Sequence, residues 1–192
     1  MSKVLIANSQ EHALLAYVVK CANEEIESKK HGSLGRTAMQ KIPYFLHVLG
    51  VPMNYRFEIH HYGPFCAEIL RDMEWLQADE VIIDDSTEKE RRSKYRPGPM
   101  LDELLSVHAS FLNKFQAVIK SVASGLATAE PNALELVATL DYLFRWYKAS
   151  TSSGPYQDQV VNRLHEIKPG KFTVEQASNG YAWLLKLNLV EP

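Results

Sequence analysis

His60, His61 and Cys66 fall within seven residues of one another and are the residues whose types could carry chemistry. A thiol beside an imidazole can act as nucleophile and base, and a mixed His/Cys set is the raw material of a zinc site. Neither reading extends far. Along an extended segment His60 and His61 point to opposite sides, and zinc requires further ligands at matched spacing. Cys66 belongs to an apolar helical stripe, where burial without a cationic neighbour keeps a thiol protonated. Cys21 sits in a similar setting, so both cysteines read as small buried hydrophobes. There is no glycine-rich phosphate loop, serine elbow or metal-spaced cluster. The residues therefore assign no catalytic group, no metal and no cofactor, and the expectation is a protein that is not an enzyme.

The elements that position these residues follow from periodicity. Residues 39–49 carry Met39, Ile42, Phe45, Leu46 and Leu49 at helical spacing and stop at Gly50. Pro43 inside this run predicts a kink, or a helix start nearer Ile42. From Asn54 the period changes to two: Tyr55, Phe57, Ile59 and His61 share one face, and Arg56, Glu58 and His60 the other, which predicts a half-buried strand. Gly63 provides a sharp turn, and Pro64 suits the first position of a helix running to about Ala78, with Cys66, Ile69, Leu70, Met73 and Leu76 inward. Val81-Ile82-Ile83 and Tyr95-Arg96-Pro97 then predict two short strands.

Helix, strand, turn, strand is the order of a winged helix, with the residue 64–78 helix where DNA-binding members place their recognition helix. The charges oppose that use. Between residues 64 and 80 Glu68, Asp72, Glu74, Asp79 and Glu80 face one cation, Arg71, and such a surface repels phosphates. Arg91, Arg92, Lys94 and Arg96 on the wing are the candidate nucleic-acid contacts, balanced in sequence by Asp84, Asp85, Glu88 and Glu90. The whole chain of 192 residues has a net charge of −2, without the excess that a polyphosphate partner favours.

Around this centre, Ser9 predicts the N-cap of a first helix reaching about Ser28, with Leu15, Val18, Ala22 and Ile26 inward. Residues 28–36 read as a connecting loop. A long helix is expected over residues 100–123, with His108 packed in its core, and another from Pro131 to Tyr147 whose aromatic residues pack inward. Residues 150–155 form a linker-like tract before a helix over 156–167. Thr173 and Gln176 make a capping box for the last helix. The fold class is mainly α with a small β wing: a winged-helix-like module over residues 1–98 and a helical part over 99–192, sharing one core. No apolar run approaches the ~20 residues of a membrane span, and the N-terminus lacks a signal-peptide pattern. A cytoplasmic protein is expected.

Gly35-Arg36-Thr37, Met39-Gln40-Lys41-Ile42 with Tyr44-Phe45, Tyr55-Arg56-Phe57-Glu58 and His61-Tyr62-Gly63-Pro64-Phe65 resemble the core of the uncharacterised bacterial YwgA-like proteins. The helix followed by a Tyr-Gly-Pro turn is also similar to the Panacea domain of SocA-type antitoxins and phage-associated proteins, over about residues 36–76. Residues 134–140 and 164–169 extend the YwgA-like resemblance toward the C-terminus. In this pattern Gln40, Lys41, Tyr62, Gly63 and Pro64 are the structural motif. The resemblance implies action through a protein partner, such as a cognate toxin, and implies no reaction. Glu58, His60 and Tyr62, bordering a groove, and Glu68, Arg71, Asp72 and Trp75 on the acidic helix are the candidate partner-binding residues. The expected function is an antitoxin-like or prophage-associated regulator, with a winged-helix transcriptional regulator as the alternative; self-association stays open.

Overall fold

A computed structural model describes residues 5–87, 90, 92–150 and 154–192. The described residues form eight helices and two separate two-stranded antiparallel sheets, a mainly α protein with small β elements. They divide into two compact units, residues 1–57 with 66–130 and residues 58–65 with 131–192.

The first unit is built on α1 (Gln10–Lys29). Ala13, Leu14, Leu15, Ala16, Val18, Val19, Cys21 and Ala22 are all buried, so this helix is enclosed on most of its circumference and not along one stripe. Its small residues let neighbours approach closely: α2 (Arg36–Val48), α3 (Ala67–Ala78), α4 (Leu101–Val107) and α5 (Ala109–Leu126) all pack on it. Helix α2 begins at Arg36 and passes through Pro43, so the start near Ile42 is corrected; Pro43 is buried among helical neighbours that hold the turn in place. The expected stop is present, with Gly50 left-handed at φ 84° and the Val51 N–H donating back to Leu46 O at 3.0 Å.

The predicted wing is an antiparallel pair of strands, Ile82–Asp84 and Tyr95–Pro97. Gly98 closes it by donating to Val81 O at 2.9 Å, and a Cβ there would stand 2.2 Å from Glu80 O. The chain therefore continues from the wing into α4 within the first unit, which runs on to Glu130. The long helix expected over 100–123 is two helices broken at His108. That histidine is only partly buried, and its Nε2 lies 2.7 Å from Asn8 O, so it joins the two helices to the N-terminal segment.

Residues 58–65 correct a further expectation. The half-buried strand reduces to β1 (Glu58–His60), exposed at every position, paired with β2 (Gly63–Phe65). Pro64 thus occupies a strand, and α3 starts three residues later. Neither His61 nor Tyr62 has positive φ, and the left-handed residue of the turn is Gly63 at φ 85°. The two wing strands are accordingly β3 and β4.

In the second unit this hairpin packs with α6 (Pro131–Ser150), which also meets α7 (Tyr156–Ile167) and α8 (Val174–Lys186). The capping box of Thr173 and Gln176 forms as expected. Of the aromatic cluster, Phe144 is buried and stacks edge-on with Tyr156, whereas Trp146 is 53% exposed. Glu135 on α6 is buried and receives Lys168 Nζ at 2.8 Å and Lys171 Nζ at 2.7 Å. Lys168 Nζ also donates to His61 O, tying the hairpin turn to the end of α7. Burial opposes ionisation of Glu135, but the two lysine hydrogen bonds outweigh it and hold the carboxyl below its ordinary range.

Two outcomes follow. Gly98→Ala should lower the unfolding free energy in urea by about 2 kcal/mol or more, because the clash is with backbone that cannot swing aside. Glu135→Gln should cost about 3 kcal/mol at neutral pH by leaving Lys168 buried without its counter-charge. Since the folded pKa of Glu135 is depressed, its contribution is present above the unfolded value of about 4.3 and is lost as pH falls through the folded value. Urea titrations across that acid range should show a steeper loss for the wild type than for the variant.

Candidate functional site

Helix α3 carries most of the candidate residues. Ile69, Met73 and Leu76 turn inward, and the complementary spacing places Glu68, Arg71, Asp72 and Trp75 along one outer stripe. Trp75 is 43% exposed. The start of α3 is set by α2: Gln40 Oε1 accepts the Cys66 N–H at 2.9 Å, and Gln40 Nε2 donates to Cys66 O at 3.1 Å, both buried. Lys41 beside it is buried as well. Glu68 in the first turn complements the helix dipole.

At its N-terminal end the stripe borders a cleft of about 230 Å³ whose other wall is the start of α1 and residues 54–55. Asp72 is its centre. Tyr55, almost wholly buried, donates its hydroxyl to Asp72 Oδ2 at 2.7 Å, and Arg71 Nε lies 3.9 Å from Oδ1. Burial, then the bond to Asp72, pushes the Tyr55 phenol far above its usual range and keeps it protonated. Glu11 receives the Asn54 N–H at 3.2 Å and its side-chain amide at 2.8 Å. His12 closes the capping box of α1: Ser9 Oγ accepts the His12 N–H, and His12 Nδ1 accepts the Ser9 N–H, each at 3.1 Å. With Nδ1 so engaged, the imidazole hydrogen is on Nε2, which lies 3.6 Å from Asp72 Oδ1.

The thiol at this end of α3 donates to a carboxylate and has no base acting on it. Cys66 Sγ lies 3.0 Å from Glu68 Oε2. Burial, then this bond, pushes the thiol up to about 11, and the same bond holds the Glu68 carboxyl below its ordinary value. The cleft is thus rich in fixed carboxylates with a protonated tyrosine, suited to holding a polar group.

The other candidates lie elsewhere. Glu58, His60 and Tyr62 belong to the β1–β2 hairpin of the second unit. There His60 stacks on Phe65 at 5.2 Å, and Tyr62, 61% exposed, has Lys171 Nζ 5.1 Å from its ring centre. Gly63 and Pro64 are buried in the same hairpin. On the wing, Lys94 pairs with Glu90 and Arg96 with Asp85, while Arg92 is exposed; Arg91 lies outside the described residues. Among the described residues no group of His, Cys, Asp and Glu is placed to hold a metal ion, and no helix is long and apolar enough to cross a membrane.

Sequence reasoning missed Glu11, His12, Asn54 and Tyr55. Only His12 left a local trace: it stands three residues after the N-cap serine, where glutamate or glutamine usually closes the box.

Because the Cys66 thiol titrates near 11, about one molecule in a thousand carries the thiolate at pH 8, against roughly a quarter for an ordinary thiol of pKa ~8.5. Iodoacetamide should therefore modify Cys66 of the native protein far more slowly than a peptide thiol at pH 8, with the rate climbing until pH approaches 11. Mass spectrometry of the Cys66 peptide checks this; rapid labelling at pH 8 would contradict it.

No model of a known protein family matches the chain, and no curated protein matches it, so the likeness to the YwgA-like and Panacea families rests on the motif residues quoted above.

Proposed function

We propose that this protein is a regulator, antitoxin-like or prophage-associated, that acts by binding a partner protein and catalyses no reaction of its own. The observation that carries the reading is the outer face of α3, where Trp75 is exposed among Glu68, Glu74 and Asp72. Tryptophan is enriched at the energetic centres of protein interfaces, which are ringed by polar residues. An acidic helix is unsuited to the major groove, and two wing cations that could reach phosphate are already bonded to Glu90 and Asp85. The motif resemblance to SocA-type antitoxins points the same way.

The test is co-purification of the tagged chain with one defined partner encoded beside it, followed by titration calorimetry. Trp75→Ala should weaken the complex by about 2 kcal/mol, roughly thirtyfold. Glu74→Lys, at an exposed position, should weaken it further without changing the thermal midpoint of the free protein. A winged-helix DNA regulator would instead give a mobility shift with duplex DNA that persists at physiological salt and is lost when Arg92, Lys94 and Arg96 become alanine.

A further inference from the structure

Val107 and Ile6 are the two most exposed large apolar side chains among the described residues, at 69% and 65%. Neither belongs to α3, yet hydrogen bonds bring both toward it. The Ala7 N–H donates to the buried Asp79 Oδ2 at 2.7 Å, and the Asp79 N–H donates to Trp75 O at 3.0 Å, so Ile6 lies beside the turn that carries Trp75. Two residues after Ile6, Asn8 O lies 2.7 Å from His108 Nε2, which places the same segment beside Val107 at the end of α4. All three side chains belong to the first unit. Single exposed apolar residues are ordinary, but a group of them drawn from three elements and rimmed by polar residues marks an interaction surface. The rim is acidic. Residues 5–9, 67–80 and 101–107, which frame the three side chains, have Arg71 as their one basic residue, against Glu68, Glu74 and Glu80 at exposed positions on the α3 side and Asp102 and Glu103 on α4.

We propose that Trp75, Ile6 and Val107 form one docking surface for a basic amphipathic helix of the partner protein, whose apolar stripe covers the three side chains while its lysines or arginines meet the acidic rim. This rests on the reading that α3 is a protein-binding face, extends that face across the N-terminal segment to α4, and names the chemistry of what binds there. Charge decides between occupants. A second copy seated face to face would set the same carboxylates against themselves, and nucleic acid would set phosphates against them. Width decides the form: apolar groups on three elements are met together by side chains at helical spacing, and not by one extended side chain.

The probe is a short blocked peptide of leucine and lysine at amphipathic helical spacing, titrated into the full chain and followed by backbone amide NMR. Shifts should centre on Ile6, Trp75 and Val107 and saturate with a Kd on the order of 10 to 100 μM. The counterpart with glutamate in place of lysine should not saturate. Ile6→Ser and Val107→Ser, both at exposed positions, should each weaken the lysine peptide roughly tenfold with the thermal midpoint unchanged. Val174→Ser, at a comparably exposed apolar position in the second unit, should leave its binding as it is. No saturation by the lysine peptide, shifts centred elsewhere, equal binding of the two peptides, indifference to Ile6→Ser and Val107→Ser, or self-association of the free chain that Ile6→Ser abolishes would each overturn the proposal. The co-purified partner separates this inference from the reading beneath it. Partner binding lost with Trp75→Ala but kept with Ile6→Ser and Val107→Ser overturns the extended surface alone; binding kept with all three refutes α3 as the docking face as well.

Discussion

The side chain of Gln40 makes two buried hydrogen bonds to the backbone of Cys66, one to its N–H and one to its carbonyl. A primary amide carries a donor and an acceptor side by side, so it can match both backbone partners of a single residue at once. Cys66 is the point where the β1–β2 hairpin ends and α3 begins, and it has no side-chain cap of its own. The amide on α2 therefore sets where α3 starts, and with it the direction of the stripe from Glu68 to Trp75 and the depth of the cleft beside Asp72. Losing it would orphan two buried backbone groups at that junction. This gives Gln40, noticed first as part of a family-like motif, a mechanical reason to be glutamine.

The same junction accounts for the electrostatics of the site. Because α3 begins at Ala67, the Cys66 thiol lies against the Glu68 carboxylate and not against a histidine. The arrangement that suggested a nucleophile and its base becomes a thiol that keeps its proton and a carboxylate that keeps its charge. On the wing, acids and bases close neighbouring pairs, so the basic cluster that reads as a phosphate contact is largely internal to the turn. In the second unit Glu135 gathers two lysines and, through Lys168, the carbonyl of His61. Buried charges there organise the hairpin turn, while Glu68 and Glu74 on α3 are exposed.

What was legible beforehand was local. Ser9 and the Thr173–Gln176 pair marked helix starts because a cap needs only three or four residues of chain. The wing strands were visible because β-branched and aromatic residues flank a polar turn, and the inward stripe of α3 because a helical period needs no partner to be seen. The acidic character of α3 followed from composition alone. The candidate residues on it were found for the same reason, since Glu68, Arg71, Asp72 and Trp75 share a face in any helix.

What failed depended on competition between local solutions or on distant neighbours. Pro64 has a φ compatible with either a strand or the first turn of a helix, and only pairing with Ile59 selects the strand. The apolar run over residues 100–123 continues through His108, where the helix breaks and the imidazole meets Asn8 O, a hundred residues away. The assignment of the hairpin to the second unit, the burial of Glu135, and the meeting of His12 with Tyr55 and Asp72 have the same character. The amino-acid sequence by itself determined the helical class, the caps, the wing and the charge of the exposed helix, because these arise within a few residues. The tertiary structure alone decided the cleft, the pairing of buried Glu135 with Lys168 and Lys171 and the division into units, because each requires groups brought together from separate parts of the chain.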